Sequence, residues 1–128
     1  MSTLRNNVLN QTTHPSHSSI SATEWCEVSL PNEPSWTSED TVRFAGIIAE
    51  HGIDLIDLSS GGNNQHQQVV RAQKLYQSHF AAAVKKAHGD KILAAAVGGI
   101  TTGNDAQGLL AQVSVLATHF HSHVATGY

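Results

Sequence analysis

The sequence predicts a parallel α/β protein, and a repeated pattern carries that prediction. Ile53-Asp-Leu-Ile-Asp-Leu-Ser-Ser-Gly-Gly-Asn63 is a short apolar run that breaks into small residues and glycine. Ile92-Leu-Ala-Ala-Ala-Val-Gly-Gly-Ile-Thr-Thr-Gly103 follows the same plan. Each run is preceded by a helical pattern that stops at a glycine, Gly52 in the first case and Gly89 in the second. Helix, tight stop, buried strand and Gly-rich exit loop together form the repeating unit of parallel α/β proteins. Ligands of such folds sit where strands run out at their carboxyl ends, so the two exits are the places to look for chemistry.

Taken in order, Ser18 to Trp25 reads as the end of a strand followed by a turn, and Val28 to Trp36, with Pro31 and Pro34, as a loop. Thr37 or Ser38 caps the first helix, and Glu39 and Asp40 place negative charge on its free amides. Phe44, Ile47 and Ile48 form its apolar stripe, and Gly52 supplies a left-handed stop. Ile53 to Leu58 is the next strand, and Asn63 to Lys74 a polar loop. Tyr76, Phe80, Val84 and Ala87 recur at helical spacing, with Lys85, Lys86 and His88 in the last turn where cations suit the dipole. Ile92 to Val97 is nearly featureless and small, as a strand covered on both faces should be. Asn104 or Thr102 caps a third helix through Ala106, Leu109, Leu110 and Val113, after which Leu116 to Tyr128 shows no further helix–strand rhythm.

Length and composition bound the alternatives. At 128 residues the chain makes at most one domain. With 13% charged residues and a net charge of −3, charge is low rather than biased, which argues against a nucleic-acid or membrane-surface partner. No apolar run approaches the roughly 18 residues that span a bilayer. Cys26 stands alone, which rules out an intrachain disulfide framework and fits a reducing compartment, so a cytoplasmic location is expected. Met1 to Ser18 is polar, lacks the apolar core of a secretory signal, and reads as a disordered tail. The expected division is therefore a tail over 1–18, a folded α/β unit over 19–113, and a His-rich tail over 114–128.

The exit loop Gly98-Gly99-Ile100-Thr101-Thr102-Gly103 lies between a buried strand and a helix start, where free amides and the helix dipole can hold a phosphate. A turn from strand to helix needs the same glycines, so both readings stand. The loop lacks the Lys-Ser/Thr ending of a nucleoside-triphosphate loop. Ser59 and Ser60 mark the equivalent exit of the preceding strand, where either hydroxyl can donate to a ligand or simply form the turn. His119, His121 and His123 share one face of an extended segment, a geometry open to a transition metal, but no carboxylate or cysteine accompanies them. No catalytic residue and no metal-ligand set is assigned.

Read together, Ile20-Ser-Ala-Thr-Glu-Trp25, Ser35-Trp-Thr-Ser-Glu-Asp40, Gly52 to Asn63, Tyr76-Gln77 with Phe80-Ala81, and Ala96-Val-Gly-Gly-Ile100 resemble the later half of Old Yellow Enzyme-family NADPH dehydrogenases. Within that family they are most similar to the ene-reductase branch. The resemblance covers roughly Ile20 to Gln112. It implies a partial (β/α)8 TIM barrel of about three to four β/α units, with Ile20–Ala22, Ile53–Leu58 and Ile92–Val97 as its fifth, sixth and seventh strands. It implies FMN at the mouth, with the Gly98, Gly99 and Ile100 amides near the phosphate and Ser59 and Ser60 facing the same space. NADPH and a small unsaturated carbonyl compound would be the reaction partners.

Departures from the family pattern are equally specific. An arginine that lies against the flavin pyrimidine is expected just before Ile-Ser-Ala, and Ser19 stands there. The substrate-holding His-x-x-His/Asn pair, the catalytic tyrosine and the phosphate-binding Gly-Arg pair have no matched counterpart. A complete barrel of this kind takes about 250 residues, so open strand edges and self-association are expected. Two outcomes follow: an FMN-dependent NADPH dehydrogenase by descent with little or no activity alone, or a non-catalytic remnant that is at most a weak phosphate, FMN or metal binder.

Overall fold

The structure, a computed structural model, describes residues 15–68, 74–113 and 116–117. The elements run β1 (His17–Ser21), α1 (Ser38–Glu50), β2 (Leu55–Ser59), α2 (Ser78–His88), β3 (Leu93–Ala96), α3 (Gly103–Val113) and the two-residue β4 (Leu116–Ala117). All the strands pair parallel in the order β1-β2-β3-β4. Because β–α–β crossovers are right-handed, an order that never reverses winds the chain one way. A doubly wound sheet, by contrast, reverses at its binding crevice.

Register sorts the side chains into two faces. Ile20, Leu58 and Ala96 form one row across the sheet, with Ile56 and Ala94 two residues below. These residues, with Ile20 at the margin, pack against Ala45 and Ala49 of α1 and Phe80, Ala81 and Val84 of α2 in a single core. Burial of Ile56, Leu58, Phe80 and Val84 stabilises the fold by about 1.5–3 kcal/mol each. The opposite face carries the rows His17, Leu55, Leu93 and Ser19, Asp57, Ala95, with Ser21 and Ser59 above them. Alternation explains the odd look of β2 as a sequence: Asp57 interrupts the apolar run because it points away from the helices.

The helix boundaries follow local chemistry. Thr37 is the N-cap of α1, its hydroxyl accepting from the Asp40 amide at 3.3 Å while the Asp40 carboxylate accepts from the Thr37 amide at 3.0 Å. This reciprocal pair satisfies orphan amides of the first turn. At the far end, the Ile53 amide reaches back to the Ile48 carbonyl and the Gly52 amide to that of Ala49, with Gly52 at φ 91°. That is a Schellman stop, and glycine adopts its left-handed backbone without Cβ strain.

Several expected boundaries move. α2 begins at Ser78 rather than at Tyr76, because Leu75 takes a left-handed φ of 58° that no helix continues from. β2 and β3 are shorter than the apolar runs that encode them; Ile53 and Ile92 pack at the core as the chain enters each strand. β1 starts at His17. β4 adds a short rung at Leu116–Ala117, where no further rhythm was expected, because it pairs with Ala95 and Ala96. The polar head through His14 and the histidines at 119, 121 and 123 lie outside the described residues.

Candidate functional site

Parallel pairing brings the carboxyl ends of β1, β2 and β3 to one rim. At the β2 exit, the expected site residues are occupied by neighbours. The Ser59 hydroxyl donates to the Ile20 carbonyl at 3.4 Å, and the Ser59 carbonyl accepts from the Ala22 amide at 2.8 Å. Ser60 donates to Gln77 Oε1 at 2.6 Å. The Gly61 amide donates to the Thr23 carbonyl and that of Gly62 to Gln67 Oε1. This exit is knitted into the rim.

Gln77 joins the two exits. Its side chain is 3% exposed, accepts from Ser60, and donates through Nε2 to the Val97 carbonyl at 3.1 Å. It therefore clamps the residue just before Gly98. A Cβ added at Gly98 would run into Gln77 Nε2, and the residue sits at φ 83°. Gly99 follows at φ 69°, so two consecutive left-handed residues turn the chain out of β3. Only glycine does this without strain. The Leu75 amide donates to the Gly99 carbonyl at 3.3 Å, fixing the outer side of the turn.

Among the described residues, nothing accepts from the Gly98, Gly99 or Ile100 amides. Ile100 as a whole is buried at the end of the turn. Beyond it the donors are taken. Asp105 Oδ2 accepts from the Thr101 amide (3.3 Å), the Thr101 hydroxyl (3.1 Å) and the Thr102 amide (3.1 Å), while the Asp105 amide donates to the Thr102 hydroxyl at 3.1 Å. Thr102 is thus the cap of α3. Lys74 Nζ lies 3.5 Å from Asp105 Oδ2. Hydrogen bonding by Thr102 first, then by Thr101, and the charge of Lys74 hold the Asp105 carboxyl below the usual range.

The other end of the expected flavin site is poorer. Ser19 pairs in register with Asp57, and Asp57 Oδ1 is buried without a hydrogen-bond partner among the described residues. Serine brings no cation to a place where the resemblance expects an arginine. The amides of Gly98, Gly99 and Ile100, with Lys74 near Asp105, are groups of the kind that can hold a phosphate. They do not supply the positive charge that would support an anionic flavin ring. No cluster of three or more metal-ligating side chains occurs among the described residues.

Sequence reasoning named both glycine exits but missed Gln77, Asp105 and Lys74. The Thr102-x-x-Asp105 spacing was a legible capping signal. Nothing local in the sequence shows that Lys74 would return to the loop.

No family model matches the chain. Over 96 residues it is 43% identical to NADH:flavin oxidoreductase FG08077 of Gibberella zeae, a match that takes in 71% of the chain. The chain spans 23% of that relative's length. The similarity supports kinship with flavin oxidoreductases. No helix among the described residues is long and apolar enough to cross a membrane.

Proposed function

We propose that this chain is an arc of a (β/α)8 barrel from the later half of an Old Yellow Enzyme-type, FMN-dependent NADPH dehydrogenase, and that the part of the site it retains is the phosphate-binding loop. The amides of Gly98, Gly99 and Ile100 would hold the FMN phosphate, with Ser59 and Ser60 on the neighbouring rim. One observation carries this reading: β3 of a singly wound parallel sheet runs out into a left-handed glycine pair whose amides have no acceptor among the described residues. The 43% identity to an NADH:flavin oxidoreductase supports it independently. In the whole family, bound FMN passes a hydride from NADPH to an activated alkene; this chain's residues would only position the cofactor. We infer a cytoplasmic protein with little or no turnover alone, self-associating through the edge strand β1.

A flavin-fluorescence titration with FMN, run beside size-exclusion chromatography, tests the reading. Saturable binding is expected, and Gly99→Val should abolish it by placing a side chain where the phosphate meets the backbone. Retained affinity in a folded Gly99→Val protein would refute the phosphate assignment. The second reading, a non-catalytic remnant, is favoured by Ser19 beside an Asp57 oxygen that has no partner among the described residues. It predicts a protein that remains colourless after incubation with FMN and desalting.

A further inference from the structure

We propose that Asp105 is a built-in competitor for the anion at the β3 exit, and that Lys74 transfers its charge from Asp105 to the incoming phosphate. This rests on the phosphate-loop reading above and concerns how that loop is regulated. The loop already holds one anion: a single carboxylate oxygen gathers the two amides and the hydroxyl that directly follow the Gly98–Ile100 amides. A phosphate dianion seated on Gly99 and Ile100 would lie beside that oxygen, and like charges at such range repel. Asp105 is 18% exposed, so solvent screens it only in part.

Lys74 supplies the other half of the exchange. It is 64% exposed and makes a loose 3.5 Å contact with Asp105, so it is free to swing. The adjoining Leu75 amide is fastened to Gly99, which keeps the base of the lysine beside the glycine pair whatever its head contacts. The cation absent from the sequence of the loop is therefore delivered from the α2 side. Ion-pair exchange of this kind makes affinity a balance between the internal carboxylate and the external phosphate.

Three measurements on the full chain test this: titration with FMN, titration with riboflavin, which lacks the phosphate, and displacement of FMN by inorganic phosphate. Asp105→Asn should tighten FMN binding by roughly tenfold and lower the phosphate concentration needed for displacement, while leaving riboflavin unaffected. Lys74→Gln, at an exposed position, should weaken FMN by roughly fivefold and again spare riboflavin. If wild type binds FMN and Asp105→Asn binds it no better, the competitor role is wrong while the loop reading survives. If Lys74→Gln leaves FMN affinity unchanged, the charge transfer is wrong. Absence of FMN binding in every variant, each folded by circular dichroism, would remove the loop reading and this proposal together.

Discussion

The exits of β2 and β3 look like copies in the sequence, yet they are put to different uses. At Ser59–Gly62 the hydroxyls and glycine amides are consumed by Ile20, Gln77, Thr23 and Gln67, so that loop welds neighbouring elements together. At Gly98–Thr102 the first amides have no acceptor among the described residues, and the next ones hold Asp105. The same small-residue chemistry joins elements in one place and leaves amides without an acceptor, among the described residues, in the other. What differs is the supply of acceptors: after β2 the Thr23 carbonyl and Gln67 Oε1 take the glycine amides, whereas after β3 the neighbours Gln77 and Leu75 are donors, to the Val97 and Gly99 carbonyls.

The strongest way to break this contrast is at the glycine pair. Gly98→Ala places a Cβ against the buried Gln77 amide in a left-handed residue, and should cost about 2–3 kcal/mol in urea denaturation. A cost below 0.5 kcal/mol would mean that the turn relaxes easily and the clamp is not rigid. Gln77→Ala comes next. It leaves the Val97 carbonyl and Ser60 without partners, and about 1–3 kcal/mol should be lost, together with FMN affinity if the clamp sets the loop.

Acid titration sharpens the comparison from another side. Asp40 and Asp105 both have lowered carboxyl pKa values, Asp40 chiefly through the Thr37 backbone amide and Asp105 chiefly through Thr102. A depressed folded-state pKa adds stability that is fully present above about pH 5 and is lost as pH falls through the folded value. The melting temperature should therefore drop below about pH 4, and Asp105→Asn should flatten part of that drop. The smallest effect belongs to the serines. Ser60→Ala should cost about 1 kcal/mol and Ser59→Ala less, since the Ser59 hydrogen bond is long at 3.4 Å. Equal costs would show that the two hydroxyls are not distinguished as their distances imply.

Much of the architecture was legible beforehand. The Thr37 cap, the Gly52 stop, the two buried strands and the Gly98–Ile100 turn are each set by residues within a few positions, which is the range over which propensity and capping operate. Less of the site was legible. Ser59 and Ser60 were expected to donate to a ligand or to form the turn, and the structure shows their hydroxyls bonded to Ile20 and Gln77. Tyr76 was placed in the second helix because it fits the apolar period, but the left-handed Leu75 holds it in the turn before Ser78.

The local order of the sequence thus determined where helices and strands form, because caps, stops and alternation act between near neighbours. It also determined that glycine must follow β3. Which donors at the rim remain open was decided only in three dimensions, where parallel register sets β1, β2 and β3 side by side and carries Lys74, Gln77 and Asp105 to one loop. Hydrogen-bond satisfaction is a property of the assembled rim, since each amide is filled or left open by whichever chain segment folding brings against it.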